Sequence, residues 1–464
     1  MKRTSANGGS SSERDRPYFI KGWPFLGQLP ALANDLIGSL RRFAERDDRP
    51  VEFKIMTSNA YLVSSPDGVK EVLTRGEPEF TKGILTSSMK VAFGDSLALE
   101  NGADWRRKRK LLQPLFMKKS VQAWRPIINS NVDLLVERWS HRDAEGSVVN
   151  ITTEANHLIL DIMTTIMFGE DMSPERAQAA AEVVTSINEA LFGVFCRSFV
   201  LRGSVQNSKL AQGKKFRNAL KKFNDIVDHS ITSSTAQPTS TLIDQFRLLK
   251  SSDGDQLSEK EVRDEATAFF FAGLETTANA LVWAFYYLAS HPNFADRIAA
   301  EASELSESHL PDFDEAERLP FTHAFVMETL RLKPPAYALE RRASSETKLV
   351  QGCPLRKNAT VILSPAVTHR QTEYWEEPDK FYPDRFESGS KSPQHQFAFF
   401  PFGGGARKCI GMHLALMELI MTIGRCAQKF EFRLVDDQTV GDKVGVTLMP
   451  DRDIQLILRH RRPA

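Results

Sequence analysis

The sequence predicts a mainly helical (α+β) chain, with one large helical domain and a small sheet-rich lobe. Three observations carry that prediction. Apolar residues recur at helical spacing through most of the 464 residues. Strand-like runs are short and sit near the two ends. One segment, 266–290, stays apolar throughout with a single formal charge, Glu275. Composition narrows the class further: 41% apolar and 26% charged residues exclude a largely disordered or collagenous chain. With 60 Lys plus Arg against 59 Asp plus Glu, the net charge of +1 removes any global case for nucleic-acid binding.

Residues 1–16 are polar and serine-rich with no apolar stretch, which predicts a disordered tail ahead of one domain over 17–464, and no membrane anchor. Early strands are expected at Val51–Met56 and Ala60–Val63, late ones at Thr360–Leu363 and Ile454–Leu458. Helices are expected over Ile127–Trp139, Ala155–Phe168, Ala177–Phe195 and Phe216–Ile231, with loops at Ser233–Thr241 and Ser251–Asp255. The apolar segment is long enough to cross a bilayer. Its start, however, is that of a soluble helix: Ser258 with Glu261 three residues on makes a capping box. Pro292 disfavours helix at His291, so the helix spans about 33 residues, roughly 50 Å. Glu275, Thr276, Thr277 and Asn279 at its centre point to a protein interior beside a functional cavity.

The chemistry concentrates in Phe402–Gly411, FGGGARKCIG, just before a helical pattern. A lone cysteine is most often a packed thiol. Here glycines permit close backbone approach, while Arg407, Lys408 and the following helix N-terminus favour a thiolate at Cys409. The glycine spacing fits neither GxxxxGK[ST] nor GxGxxG, which sets aside a phosphate cradle. The other cysteines, Cys196, Cys353 and Cys426, have no close partner and are expected as packed thiols of a reducing cytosol.

This loop matches FGxGxRxCxG, and through it the sequence resembles the cytochrome P450 superfamily of haem-thiolate monooxygenases. The resemblance implies a cytochrome P450 fold with haem b between the long distal helix and the Cys409 loop, and Cys409 as the axial ligand to iron. It also implies that Phe402, Gly403 and Gly411 surround the sulfur and that Arg407 pairs with a haem propionate. In AGLETT (Ala272–Thr277), Ala272 and Thr276 share one helical face with Ala268, one turn earlier, with small residues toward a flat macrocycle, and Glu275 lies about 100° away. The resemblance makes Thr276 and Glu275 the proton-delivering pair; a threonine bonded to its own helix carbonyl is the plainer alternative.

Glu328–Arg331 and Pro383–Phe386 (PDRF) match the family's ExxR and its later arginine motif, implying a buried structural network of Glu328, Arg331 and Arg385. Trp105 and Arg109 fit WxxxR and imply contact with the propionates, as does Arg341, with Arg342 an adjacent alternative. The run Arg106–Lys110, apart from Arg109, is expected beside Lys408 on the proximal face that docks an acidic electron donor.

By the same resemblance, the pocket is expected along the loop between Lys82 and Phe93 (with Ile84 and Leu85), along Leu191–Leu201, near Phe271 on the distal helix, and at Ala336, Tyr337 and Leu339. Its apolar character suggests a lipophilic substrate: a secondary metabolite, terpenoid, polyketide or fatty acid. The implied enzyme is a cytoplasmic, monomeric monooxygenase. It would take electrons from NAD(P)H through a separate ferredoxin or flavodoxin-type protein and its reductase, since only residues 412–464 follow the cysteine loop. A peroxide-driven or isomerising haem-thiolate enzyme and a haem-thiolate sensor are the alternatives; a membrane transporter has one span to offer.

Overall fold

The computed structural model describes residues 16–76, 79–83, 86–87, 89–141, 145–169, 214–233, 241–251, 254–304, 319–344, 348–390, 395–436 and 439–461. The helices that position the site are α1 (Pro66–Arg75), α2 (Gly102–Leu112), α3 (Arg125–Ser140), α4 (Ile151–Phe168), α5 (Glu259–Ser290), α6 (Pro292–Ser303), α7 (Pro320–Leu332) and α8 (Met412–Lys429). The expected helix over Ala177–Phe195, Cys196 and the pocket segment Leu191–Leu201 lie outside the described residues.

α5 starts where the capping box predicts. The Glu261 N–H donates to Ser258 Oγ at 3.3 Å and the Ser258 N–H donates to Glu261 Oε2 at 2.9 Å, satisfying two end donors reciprocally. It stops at His291, and Pro292 opens α6. One helix, Glu259–Ser290, is long and apolar enough to cross a membrane, and 72% of its apolar window is buried in the fold. Leu281, Val282, Trp283, Phe285 and Leu288 are fully buried there. Each such side chain contributes roughly 1.5–3 kcal/mol when removed from water, so protein packing alone holds the helix. α4 lies along α5, and α3, α6, α7 and α8 complete the helical core.

The sheet-rich lobe joins the first part of the chain to residues 339–363. Strands β1 (Tyr18–Phe19), β2 (Val51–Ile55), β3 (Ser58–Leu62), β4 (Phe80–Thr81), β6 (Leu339–Ala343) and β9 (Thr360–Leu363) form one sheet in the order β1-β2-β3-β9-β6-β4. β3 pairs parallel with β9 (Ala60 opposite Thr360), and β9 pairs antiparallel with β6 (Leu339 opposite Leu363). β5 (Glu145–Asn150), β10 (Phe430–Leu434) and β13 (Gln455–His460) make a second sheet against the helices. Hairpins β7–β8 (Lys348–Val350, Cys353–Leu355) and β11–β12 (Asp442–Val444, Leu448–Pro450) complete the strands described.

Candidate active site

Three glycines give the loop before α8 its shape. Gly403 and Gly405 have φ of +68° and +64°, a region costly for residues with a Cβ, and a Cβ on Gly405 would strike the Leu73 carbonyl of α1. The Gly403 N–H donates to Phe400 O and the Cys409 N–H to Phe402 O, both at 2.9 Å, closing a tight hairpin under the sulfur. Cys409 is exposed only toward an internal cavity of about 340 Å³. Protein surrounds it, so burial pushes its thiol up. The Gly411 N–H, Arg109, Lys408 and the Met412 N–H oppose that in decreasing order. The loop cations alone do not make a thiolate; a coordinated metal ion does, by displacing the proton outright.

Across the cavity, α5 presents Ala268, Ala272, Gly273 and Thr276, a wall of small side chains. Close packing fixes it, since a Cβ on Gly273 would lie 2.8 Å from Met163 Cε of α4. The Thr276 hydroxyl donates to Ala272 O at 2.6 Å. Glu275 leaves the wall: its Oε1 accepts from Thr447 Oγ1 at 2.8 Å, and Thr447 Oγ1 also accepts from Asn279 Nδ2 at 2.9 Å. Burial lifts the Glu275 carboxyl above the usual range, and the Thr447 bond opposes it.

Cations line the third side. Arg407 is held by Glu100 O at 2.9 Å and Asn101 Oδ1 at 3.2 Å, and its guanidinium sits 4.3 Å over the Trp105 ring. Arg109 reaches Gln113 Oε1 at 2.5 Å. Strand alternation resolves the arginine pair: Leu339 and Arg341 share the cavity face of β6, and Arg342 takes the other. Lys82, expected only as a loop boundary, joins them. Burial lowers its amine to about 7, with Arg341 and Arg407 adding repulsion and Glu340 opposing.

The Cytochrome P450 family model matches residues 17–458. The chain belongs to the cytochrome P450 family. It is 30% identical to cytochrome P450 4F5 of Rattus norvegicus over 79% of this chain and 74% of that protein. It is 27% identical to cyclooctatin synthase of Streptomyces melanosporofaciens over 92% of each, and 26% identical to pentalenene oxygenase of Streptomyces avermitilis over 89% of this chain and 90% of that one. The chain is thus a cytochrome P450 monooxygenase, and the family implies a haem-thiolate cofactor, lipophilic substrates and redox partner proteins. The residues present fit that cofactor. A sulfur donor ringed by N–H groups faces a wall of small residues across the cavity, and four cations gather where an anionic group is expected.

The cytochrome P450 network behind this loop is assembled. Arg331 Nε donates to Glu328 Oε2 at 2.6 Å and Nη2 to Oε1 at 2.8 Å, both residues being fully buried. Arg385 Nε reaches Glu328 Oε1 at 3.3 Å, and the Tyr382 N–H donates to the same oxygen at 2.8 Å. Sequence reasoning missed His369, which ties this network to the cysteine loop. Because the Phe400 N–H donates to its Nε2 at 2.9 Å, the ring proton sits on Nδ1, 3.3 Å from Arg331 O. Burial, then the Arg331 charge, lowers this imidazole from 6.5 to about 3. Folding therefore favours the neutral ring, a stabilisation complete above 6.5 and lost as pH falls toward 3. The melting temperature is expected to drop between 6.5 and about pH 4 more steeply in the wild type than in His369→Gln. Equal slopes would remove this assignment.

Several sequence expectations are corrected. Phe271 packs on Phe93, ring centroids 5.4 Å apart, and Phe269 takes its place in the wall, because two residues along a helix turn it by about 200°. Tyr337 faces away and donates to Gly445 O at 3.0 Å, while Ala336 and Leu339 line the cavity. Ile84 and Leu85 lie outside the described residues. The run Arg106–Lys110 is not one face. Arg107 pairs with Glu261 and, at 3.2 Å, with Asp255; buried Lys108 meets Asp95 O and lies 3.5 Å from Glu265. Arg109 turns to the cavity, which leaves Arg106 and Lys110 at the surface with Lys408. Glu418, also missed, is 1% exposed in the cavity wall, and burial lifts it to about 8 against a bond with Thr277. Its signal was legible as the lone acid of the apolar run Leu414–Ile423.

Proposed function

We propose that this cytochrome P450 inserts one oxygen atom from dioxygen, by hydroxylation or epoxidation, into a lipophilic small molecule of the secondary-metabolite class. The relatives named as cyclooctatin synthase and pentalenene oxygenase put a terpenoid first, ahead of a polyketide or fatty acid. The observation that carries this reading is the cavity itself, with Cys409 on one side and the small-residue wall of α5 carrying Thr276 on the other. Residues 17–464 act as one domain.

Cys409 would hold the iron of haem b, with the Gly411 and Met412 N–H groups tuning the sulfur and Phe402 and Gly403 packing beside it. Arg109, Arg341, Arg407 and Lys82, with Trp105 behind Arg407, would bind the propionates, and Ala272 admits the ring. When bound, haem supplies the activation of dioxygen and the oxidising equivalent. Thr276 holds water in the wall and passes protons through its hydroxyl. Glu275, its carboxyl pushed up by burial and linked to Thr447, is the proton source behind that wall. Electrons come from NAD(P)H through a ferredoxin or flavodoxin-type protein with its reductase, docking where Arg106, Lys110 and Lys408 are exposed. A cytoplasmic monomer fits Cys353 and Cys426 as buried free thiols.

The test is reconstitution with a ferredoxin, its reductase and NAD(P)H, scoring labelled oxygen from dioxygen in the product. General acid catalysis is worth roughly 10²–10⁴-fold, and water replaces part of it. In Thr276→Ala, product per NAD(P)H is therefore expected to fall about tenfold or more while NAD(P)H consumption continues. Unchanged coupling would remove the relay assignment.

A further inference from the structure

The turn of the β11–β12 hairpin reaches the acid that α5 holds behind the cavity wall. Thr447, 6% exposed, closes that turn, and the Gly445 N–H donates to its carbonyl oxygen at 3.0 Å. Two bonds tie the turn to the segment that lines the cavity: the Leu448 N–H donates to Pro335 O at 2.9 Å and the Tyr337 hydroxyl to Gly445 O at 3.0 Å. The hairpin is therefore a fixed support. On α5, Glu275 and Asn279 lie one turn apart on the same face, whereas Thr276 is about 100° round from Glu275. The Asn279 amide donates to Thr447 Oγ1 at 2.9 Å, which leaves the hydroxyl's own hydrogen for Glu275 Oε1 at 2.8 Å. With Oε1 accepting, the carboxyl proton belongs on Oε2.

Resting on the monooxygenase reading, we propose that Thr447 is a positioning residue for proton delivery: its hydroxyl, fixed by Asn279, holds Glu275 Oε1 at the hairpin and leaves Oε2 to give its proton to water at Thr276. The same bond sets how readily that proton is kept. A hydroxyl that donates to a carboxylate favours the charged form, so Thr447 opposes the burial that lifts Glu275. Among the described residues no charged side chain contributes to that balance. The hairpin's own charges, Asp442 and Lys443, stand at its open end, where Asp442 pairs with Lys333 at 2.5 Å.

The test uses haem-loaded protein. The carboxyl C=O stretch of Glu275, assigned as the infrared band missing from Glu275→Gln, is titrated against pH, and product per NAD(P)H is measured alongside. A hydrogen bond to a carbonyl oxygen lowers its stretching frequency, and a bond to the charged form lowers the carboxyl's pKa. In Thr447→Val the band is therefore expected at higher frequency and to persist to higher pH. Product per NAD(P)H is expected to fall about threefold or more, because water replaces only part of the roughly 10²–10⁴-fold that acid catalysis supplies. Thr447→Ser keeps the hydroxyl and is expected to restore both readouts, which a packing role of the methyl group would not. Asn279→Ala frees the hydroxyl to turn and is expected to move both the same way by less, which keeps the assignment testable if valine unsettles the hairpin. An unmoved band, unchanged coupling in Thr447→Val, or a serine variant as impaired as valine with the carbon monoxide spectrum intact overturns the proposal. Wild type that makes no labelled product from dioxygen overturns the monooxygenase reading instead, while the infrared band still reads the Thr447 contact.

Discussion

Replacing Cys409 with serine is expected to abolish the red-shifted Soret band of the reduced, carbon monoxide-bound protein and to reduce product formation below detection, with helix content unchanged. The chain makes this separation possible. Loop shape comes from Gly403, Gly405 and the Cys409 N–H to Phe402 O bond, none of which needs the sulfur. In the proposed role the sulfur would hold the haem iron and supply the electron push of a thiolate ligand. A serine hydroxyl keeps the volume and loses the soft anionic ligand. A wild-type protein loaded with haem and lacking the red-shifted band, or a Cys409→Ser variant retaining it, would sink the assignment.

Glu328→Ala is expected to cost roughly 3–5 kcal/mol of stability and to give protein purified largely without haem. Arg331 would keep its bonds to His369 O at 2.8 Å and Pro378 O at 2.6 Å, yet remain a fully buried cation without its counter-charge. Arg385 and the Tyr382 N–H would lose their shared acceptor. Damage then reaches the cysteine loop through His369 and Phe400. Denaturant unfolding and the haem-to-protein ratio check both halves. A variant of wild-type stability with full haem content would contradict the structural role given to Glu328.

The most legible parts were those whose chemistry is local in sequence. The capping box of α5 needs two residues three apart, and the cysteine loop and ExxR pair are short strings, so all three were readable before any fold was known. The strand Thr360–Leu363 was predicted at its observed ends because apolar residues and turns bound it. Where sequence reasoning failed, direction rather than position was at fault. Phe271 and Tyr337 sit in the right segments facing the wrong way, and five consecutive cations on α2 point round the helix rather than to one surface. His369 and Lys82 were not legible, because each acts through partners brought near only by the fold.

The pairing of β3 with β9 has a consequence for the order in which this protein comes into being. Thr368 Oγ1 donates to Ser64 O across 304 residues of chain, and β13 closes on β5 only when the last strand exists. Such long-range pairing is slow, and synthesis proceeds at roughly 5–20 residues per second. On the ribosome the distal wall is therefore made well before Cys409 emerges, and the strand carrying Arg341 has only β4 as a neighbour until β9 is made. Haem capture belongs to the end of biogenesis, after a prolonged interval in which an apolar half-cavity has to be kept from aggregating.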